Sequence, residues 1–127
     1  MPHRGQTHQI ATELINLPYN APADGSGVVL SRDAVIKSIT ARVDVVGSDA
    51  GAVTAVVKKA ASGAAVASGT ALHSGTINLK GTAHTNQTLT LAAGVTKKVA
   101  AGEAIGLDVT GTTTAARGVV TVEVQYL

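Results

Sequence analysis

Beyond residue 34, apolar and polar residues alternate with a period of two through most of the chain. Ile39, Ala41, Val43 and Val45 alternate with Thr40, Arg42 and Asp44, the pattern of a strand with one buried face. Residues 47–51 (GSDAG) read as a turn, and Val53, Ala55 and Val57 resume the alternation. Residues 52–67 also fit a helical face, with Val53, Val56, Val57 and Ala60 at spacings of three and four. Their β-branched Val and Thr, and the break at Ser62-Gly63, favour strand; helix is the open alternative. Weaker strands are predicted at 65–68 and 70–79, a short, clean one at 88–91, and another at 95–99. After the turn Ala100-Ala101-Gly102-Glu103, Ile105, Leu107 and Val109 alternate with Gly106, Asp108 and Thr110. The last strand is the clearest, with Val120, Val122, Val124 and Tyr126 on one face and Thr121, Glu123 and Gln125 on the other. Short strands with turn signals at intervals of roughly 8–12 residues predict an all-β fold, a single antiparallel β-sandwich or jelly roll over residues 35–127. The Val-rich last strand is expected to be central or pinned by a partner, because a free edge of that composition invites aggregation.

Residues 1–34 have a different texture. All three prolines, Pro2, Pro18 and Pro22, lie there, and residues 17–27 are rich in turn and extended-chain formers. A short helix at 9–14 lacks an apolar face. Ile10, Leu14, Ile15, Leu17 and Tyr19 are nonetheless more apolar than a solvated tail requires. The expectation is an extended N-terminal arm over 1–34, ordered by contact with a neighbour through those five residues, with Arg4 and Arg32 available to acidic partner surfaces.

Composition narrows the core. Apolar residues make up 45% of the 127-residue chain and charged residues 14%, so a packed domain is expected. It contains no Phe, Trp or Cys, and its only aromatics are Tyr19 and Tyr126. Small aliphatic side chains must fill the interior, and neighbouring subunits are expected to contribute stability. The absence of Cys removes disulfides, thiolate metal sites and thiol catalysis. Residues 1–6 lack the apolar core of a signal peptide, and no apolar run approaches the roughly 18 residues of a membrane helix. A soluble protein made in a cytoplasm, with no membrane partner, is the expectation. The formal charge is +2, without the basic stripe and interleaved aromatics of nucleic-acid binders, so no nucleic-acid partner is expected.

Signatures of chemistry are sparse. Gly25-Ser26-Gly27 lacks the third glycine of a dinucleotide loop, and neither a phosphate-binding loop nor a nucleophile elbow occurs. His73 and Ser74 are adjacent, which on a strand sends their side chains to opposite faces; a surface histidine beside a turn serine is the expected reading. His73 and His84 flank a predicted hairpin, but no further zinc ligands sit near them. Asp44 and Asp49 bracket one turn without forming a Ca²⁺ loop. No enzyme activity, cofactor or metal is predicted.

The stretch Ala34-Val35-Ile36-Lys37-Ser38-Ile39-Thr40-Ala41, a Gly/Ala/Thr/Val-rich middle, and the segment Lys98-Val99-Ala100-Ala101-Gly102-Glu103-Ala104-Ile105-Gly106-Leu107-Asp108-Val109-Thr110-Gly111 carry a resemblance. With the terminal Val-rich strand, this sequence style resembles small phage virion proteins, the capsid decoration (cement) proteins and related head-fibre bases. The resemblance implies a jelly roll or β-sandwich on the outer face of the virion capsid. It also implies a homotrimer whose partner is the major capsid protein, and an arm reaching onto neighbours. The long Pro-containing segment before residue 34 departs from that pattern. The alternatives are a tail, neck or fibre-base module, or a carbohydrate- or cell-surface-binding β-sandwich.

Overall fold

A computed structural model describes residues 11–20, 27–47, 50–111 and 116–127. In it the chain is an all-β sandwich of two five-stranded antiparallel sheets. The strands are β1 (Thr12–Asn20), β2 (Val28–Val29), β3 (Ala34–Val45), β4 (Thr54–Ala60), β5 (Thr70–Ala71), β6 (Ile77–Asn78), β7 (Asn86–Thr88), β8 (Lys98–Val99), β9 (Ala104–Thr110) and β10 (Arg117–Tyr126). One sheet runs β1-β10-β3-β7, with β8 also on β3; the other runs β2-β9-β4-β5, with β6 also on β4. The pairings nest from the two ends of the chain inward: β1 with β10, β2 with β9, β3 with β8. That nesting, with the chain switching sheets between partners, is jelly-roll topology.

The alternation read from the sequence sets the inner faces. Val120, Val122 and Val124 of β10 are fully buried, as are Ala55 and Val57 of β4 and Ile105 of β9. β10 lies between β1 and β3, so the Val-rich last strand is central. β3 keeps both halves of its apolar set inside by changing phase. Ala34 and Ile36 face in, then Ile39, Ala41 and Val43, and the switch falls where the pairing slips from Glu123↔Ser38 to Val124↔Ile36. The extra residue, Lys37, is a β-bulge that turns the strand over by one position. The ambiguity at 52–67 resolves into strand β4 followed by a 3-10 turn at Val66–Ser68. The weak strand expected at 65–68 is therefore a turn, and the one at 95–99 is a 3-10 turn, Gly94–Lys97, leading into β8.

The largest departure concerns the arm. Residues 12–20 are strand β1, paired residue for residue with β10 from Thr12↔Gln125 to Asn20↔Arg117. Within the expected arm, β2 adds to the second sheet, so the sandwich begins well before residue 35. The reason lies in the pairing. Ile15, Leu17 and Tyr19 alternate with period two and stand opposite Val122, Val120 and Gly118, whose face is the core. Tyr19 lies across Gly118, and a Cβ there would stand 2.6 Å from the Tyr19 hydroxyl and would also meet the Arg42 carbonyl. An aromatic ring laid over a cross-strand glycine covers backbone that would otherwise be left bare.

Candidate functional site

β1 is an edge strand, and its hydrogen-bonding phase can be read directly. The Tyr126 N–H donates to the Ala11 carbonyl at 2.9 Å. With the unbroken register, the odd-numbered residues of β1 therefore direct their N–H and C=O groups to β10. Thr12, Leu14, Asn16 and Pro18 direct theirs away from the sheet, where no strand pairs with them among the described residues. Pro18, which lacks an N–H, thus occupies a position where β10 asks for none, the place an edge strand tolerates proline.

Between this edge and the facing edge of the other sheet lies an open groove of about 430 Å³, lined by Glu13, Leu14, Ile15 and Asn16, by Val28, Val29, Leu30 and Ser31, and by Tyr126. Leu14 is 63% exposed and Val29 66%. The far bank is held firmly. Leu30 is buried, donates its N–H to the Glu103 carbonyl at 3.0 Å and accepts from Gly102 at 2.8 Å, while Asp33 Oδ1 accepts the Ala101 N–H at 2.8 Å. At the groove's end the Tyr126 hydroxyl donates to Glu13 Oε1, and the Arg32 guanidinium sits 5.0 Å from the Tyr126 ring centroid, a cation–π distance. The bond to the Glu13 carboxylate, then burial, raises the Tyr126 pKa above the ordinary phenol value, with Arg32 opposing.

Of the residues expected to make partner contacts, the structure keeps Leu14 at the surface and places Arg32 on Tyr126. Ile15, Leu17 and Tyr19 are 6%, 3% and 5% exposed and belong to the chain's own core, which corrects their reading as anchors for a neighbour. Arg4 and Ile10 lie outside the described residues. Glu13, Val28, Val29 and Tyr126 were not expected at this site. One signal for the edge is present in the sequence: in the run 13–19, Leu14 is the apolar residue out of phase with Ile15, Leu17 and Tyr19.

The histidines take other roles. His73 is 4% exposed, so the surface reading is corrected. Its Nε2 accepts the Val57 N–H at 3.0 Å, and its Nδ1 lies 3.0 Å from the Ser74 carbonyl. A ring nitrogen that accepts a backbone N–H leaves the proton on the other nitrogen, so Nδ1 donates to Ser74. Both nitrogens are thereby engaged with backbone. His84 lies exposed, 3.9 Å from Asp44; Asp49 lies outside the described residues. No group of three His, Asp or Glu side chains suited to a metal occurs among the described residues.

No family model matches the chain, and no curated protein matches it. A solved structure from the Bacillus endospore appendages, described as a novel family of disulfide-linked pili, is similar with a TM-score of 0.50 and 20% identity, over 92% of this chain and 87% of that one. At that identity the similarity is one of fold.

Proposed function

We propose that this chain is a non-enzymatic structural protein that decorates and reinforces the outside of a phage capsid through subunit–subunit contacts. The observation that carries a contact role is the open flank of the sandwich, where Leu14 and Val29 remain exposed beside a groove bounded by two sheet edges. Exposed apolar side chains grouped at a concavity mark interaction surfaces more often than scattered ones do. The sequence style of residues 98–111 supports the virion setting. With no cysteine in the chain, none of its contacts is a disulfide. A sugar-binding role is disfavoured by the placement of the aromatics, since Tyr19 is buried and Arg32 covers Tyr126.

The test is sedimentation of the full chain with assembled, undecorated shells of the virus that encodes it, beside free shell protein. Binding to shells together with a higher shell melting temperature is the expected result. Absence of binding to shells, or a gene lying outside any viral or proviral genome, overturns the reading. Labelling of intact particles that marks the tail or neck instead of the head moves the protein to those structures.

A further inference from the structure

Taking the open flank as a contact surface, as proposed above, we infer that the occupant of the β1 edge is β1 of a second copy of this chain, paired antiparallel about a two-fold axis at Leu14. Three observations lead there. First, β1 is the longest edge strand among the described residues. It runs nine residues, whereas β2, β5, β6 and β8 have two each and β7 has three. Short edges are a standard way of blocking strand addition, and β1 lacks that protection.

Second, the outward groups are self-complementary in one register. The free N–H and C=O groups belong to Thr12, Leu14, Asn16 and, for the carbonyl alone, Pro18. With Leu14 opposite Leu14 of the second copy, Thr12 meets Asn16 and Asn16 meets Thr12, and every outward donor of the three finds an acceptor. Moving the centre to Ile15 brings Pro18 opposite Thr12, and moving it to Asn16 brings Pro18 opposite Leu14; in either case the carbonyl that faces the proline has no donor.

Third, the outward side chains suit a second copy. On the outer face Thr12, Leu14, Asn16 and Pro18 are uncharged, so that face meets its copy without like-charge repulsion and offers a charged peptide no opposite charge. On the inner face Glu13 would stand opposite Ile15 of the second copy and is bonded by the Tyr126 hydroxyl. Exposed Leu14 meets its own copy at the axis and loses contact with water. The contact is isologous and closes at two chains, merging the two β1-containing sheets into one continuous sheet.

The experiment uses the full chain and a dilution series in light scattering. A species of twice 12.6 kDa that dissociates on dilution is expected. Asn16→Pro removes an outward N–H and adds a ring where the second strand must lie. It keeps the backbone pairing with β10 and loses the exposed hydrogen bond that Thr121 Oγ1 donates to Asn16 Oδ1. It should give a monomer with the wild-type circular dichroism spectrum. Because the chain has no cysteine, single-cysteine variants report the register. Directly opposed residues in a hydrogen-bonded antiparallel pair have Cα atoms about 5.5 Å apart, within disulfide range. Leu14→Cys should therefore cross-link quantitatively under mild oxidation. In the same register the two Asn16 residues stand roughly 14 Å apart along the strands, so Asn16→Cys should not cross-link. A monomeric wild type, a trimer, or Asn16→Cys linking as fast as Leu14→Cys overturns the inference. Shell sedimentation of the same samples separates the two readings. A dimer that ignores shells upholds the pairing while the capsid role fails, and a monomer that binds shells does the reverse.

Discussion

The two flanks of the sandwich face the same problem, how to end a pair of sheets, and resolve it in opposite ways. On the flank where β4 meets β5 and β6 and β3 meets β7, the chain crosses between sheets and side chains complete the ladders. His73 bridges to Leu91, and its imidazole takes the Val57 N–H between the stretches of β4 paired with β5 and β6. The Gln87 amide accepts the Asn78 N–H at 2.9 Å and donates to the Asn78 carbonyl at 2.7 Å, tying β7 of one sheet to β6 of the other. On the flank of β1 and β2 the chain crosses through residues 30–33, between β2 and β3, but no strand covers the outward backbone groups of β1 among the described residues, and Leu14 and Val29 stay exposed. A closed flank needs polar side chains placed as substitutes for a strand. An open flank leaves its backbone groups to water or to a second polypeptide, and it is the flank to which the contact role is proposed.

The largest effect expected from disturbing either flank is at Gly118, beneath the open one. Gly118→Ala drives a methyl group into the Tyr19 ring, whose Cζ would lie 2.9 Å away, and into the Arg42 carbonyl. Backbone on one side and a packed ring on the other leave no soft direction for relief, so the cost is about 3 kcal/mol, at the upper end of overpacking effects. Urea unfolding should show this as a lowered midpoint with an unchanged slope.

On the closed flank, His73→Ala strands the buried Val57 N–H and leaves a cavity. An unsatisfied buried donor and lost packing together cost about 2–3 kcal/mol. The comparison sharpens if His73→Ala raises amide exchange at Val57 and Leu72 while β1 and β10 stay protected, since Leu72 N–H is bonded to the Val57 carbonyl at 3.0 Å.

How far the two flanks were legible in the sequence follows from the same contrast. β9 and β10 were plain because each alternates without interruption and carries no proline. β1 was hidden by Pro18, which reads as a strand breaker until its N–H position is known to face outward, and that knowledge needs the β10 register. β3 carried its signal in two phases because Lys37 bulges. His73 could not be placed because its partner is a backbone N–H sixteen positions away, and backbone groups leave no trace in side-chain patterning. Ile15, Leu17 and Tyr19 were correctly singled out as apolar and misassigned to a partner, since their covering surface, β10, lies at the other end of the chain.

The two tyrosines, both at the open flank, provide a smaller effect through pH. Burial, helped by the charge of Asp44, pushes the Tyr19 pKa up to about 12. A phenol whose pKa is higher folded than unfolded holds its proton more tightly in the folded state. Its stabilising contribution is whole below an unfolded value of about 10 and is lost as the pH climbs toward about 12. The Tyr126 pKa is also raised, so absorbance near 295 nm should reveal little phenolate at the pH where free tyrosine is half ionised. The Tyr19 hydroxyl has no hydrogen-bond partner among the described residues. Tyr19→Phe should therefore fold with equal or slightly greater stability at neutral pH and lose less of it in alkali. A marked loss at neutral pH would mean that the hydroxyl has a bonding role.

The smallest effect is the most discriminating between the flanks. Leu14→Ser changes a side chain that is 63% exposed and sits on the outer face of β1, so the isolated chain should keep its stability to within about 0.5 kcal/mol. That expectation holds only where chains are too dilute to meet. If the open flank is completed by a second copy, wild-type stability rises with protein concentration, because association favours the folded state by mass action. In Leu14→Ser the rise should be weaker or absent, and the two proteins should converge on dilution. His73→Ala should instead lower stability by the same amount at every concentration and leave the wild-type rise in place, because its bonds lie within one chain. Concentration thus separates a flank that the chain finishes alone from one that it leaves for a neighbour.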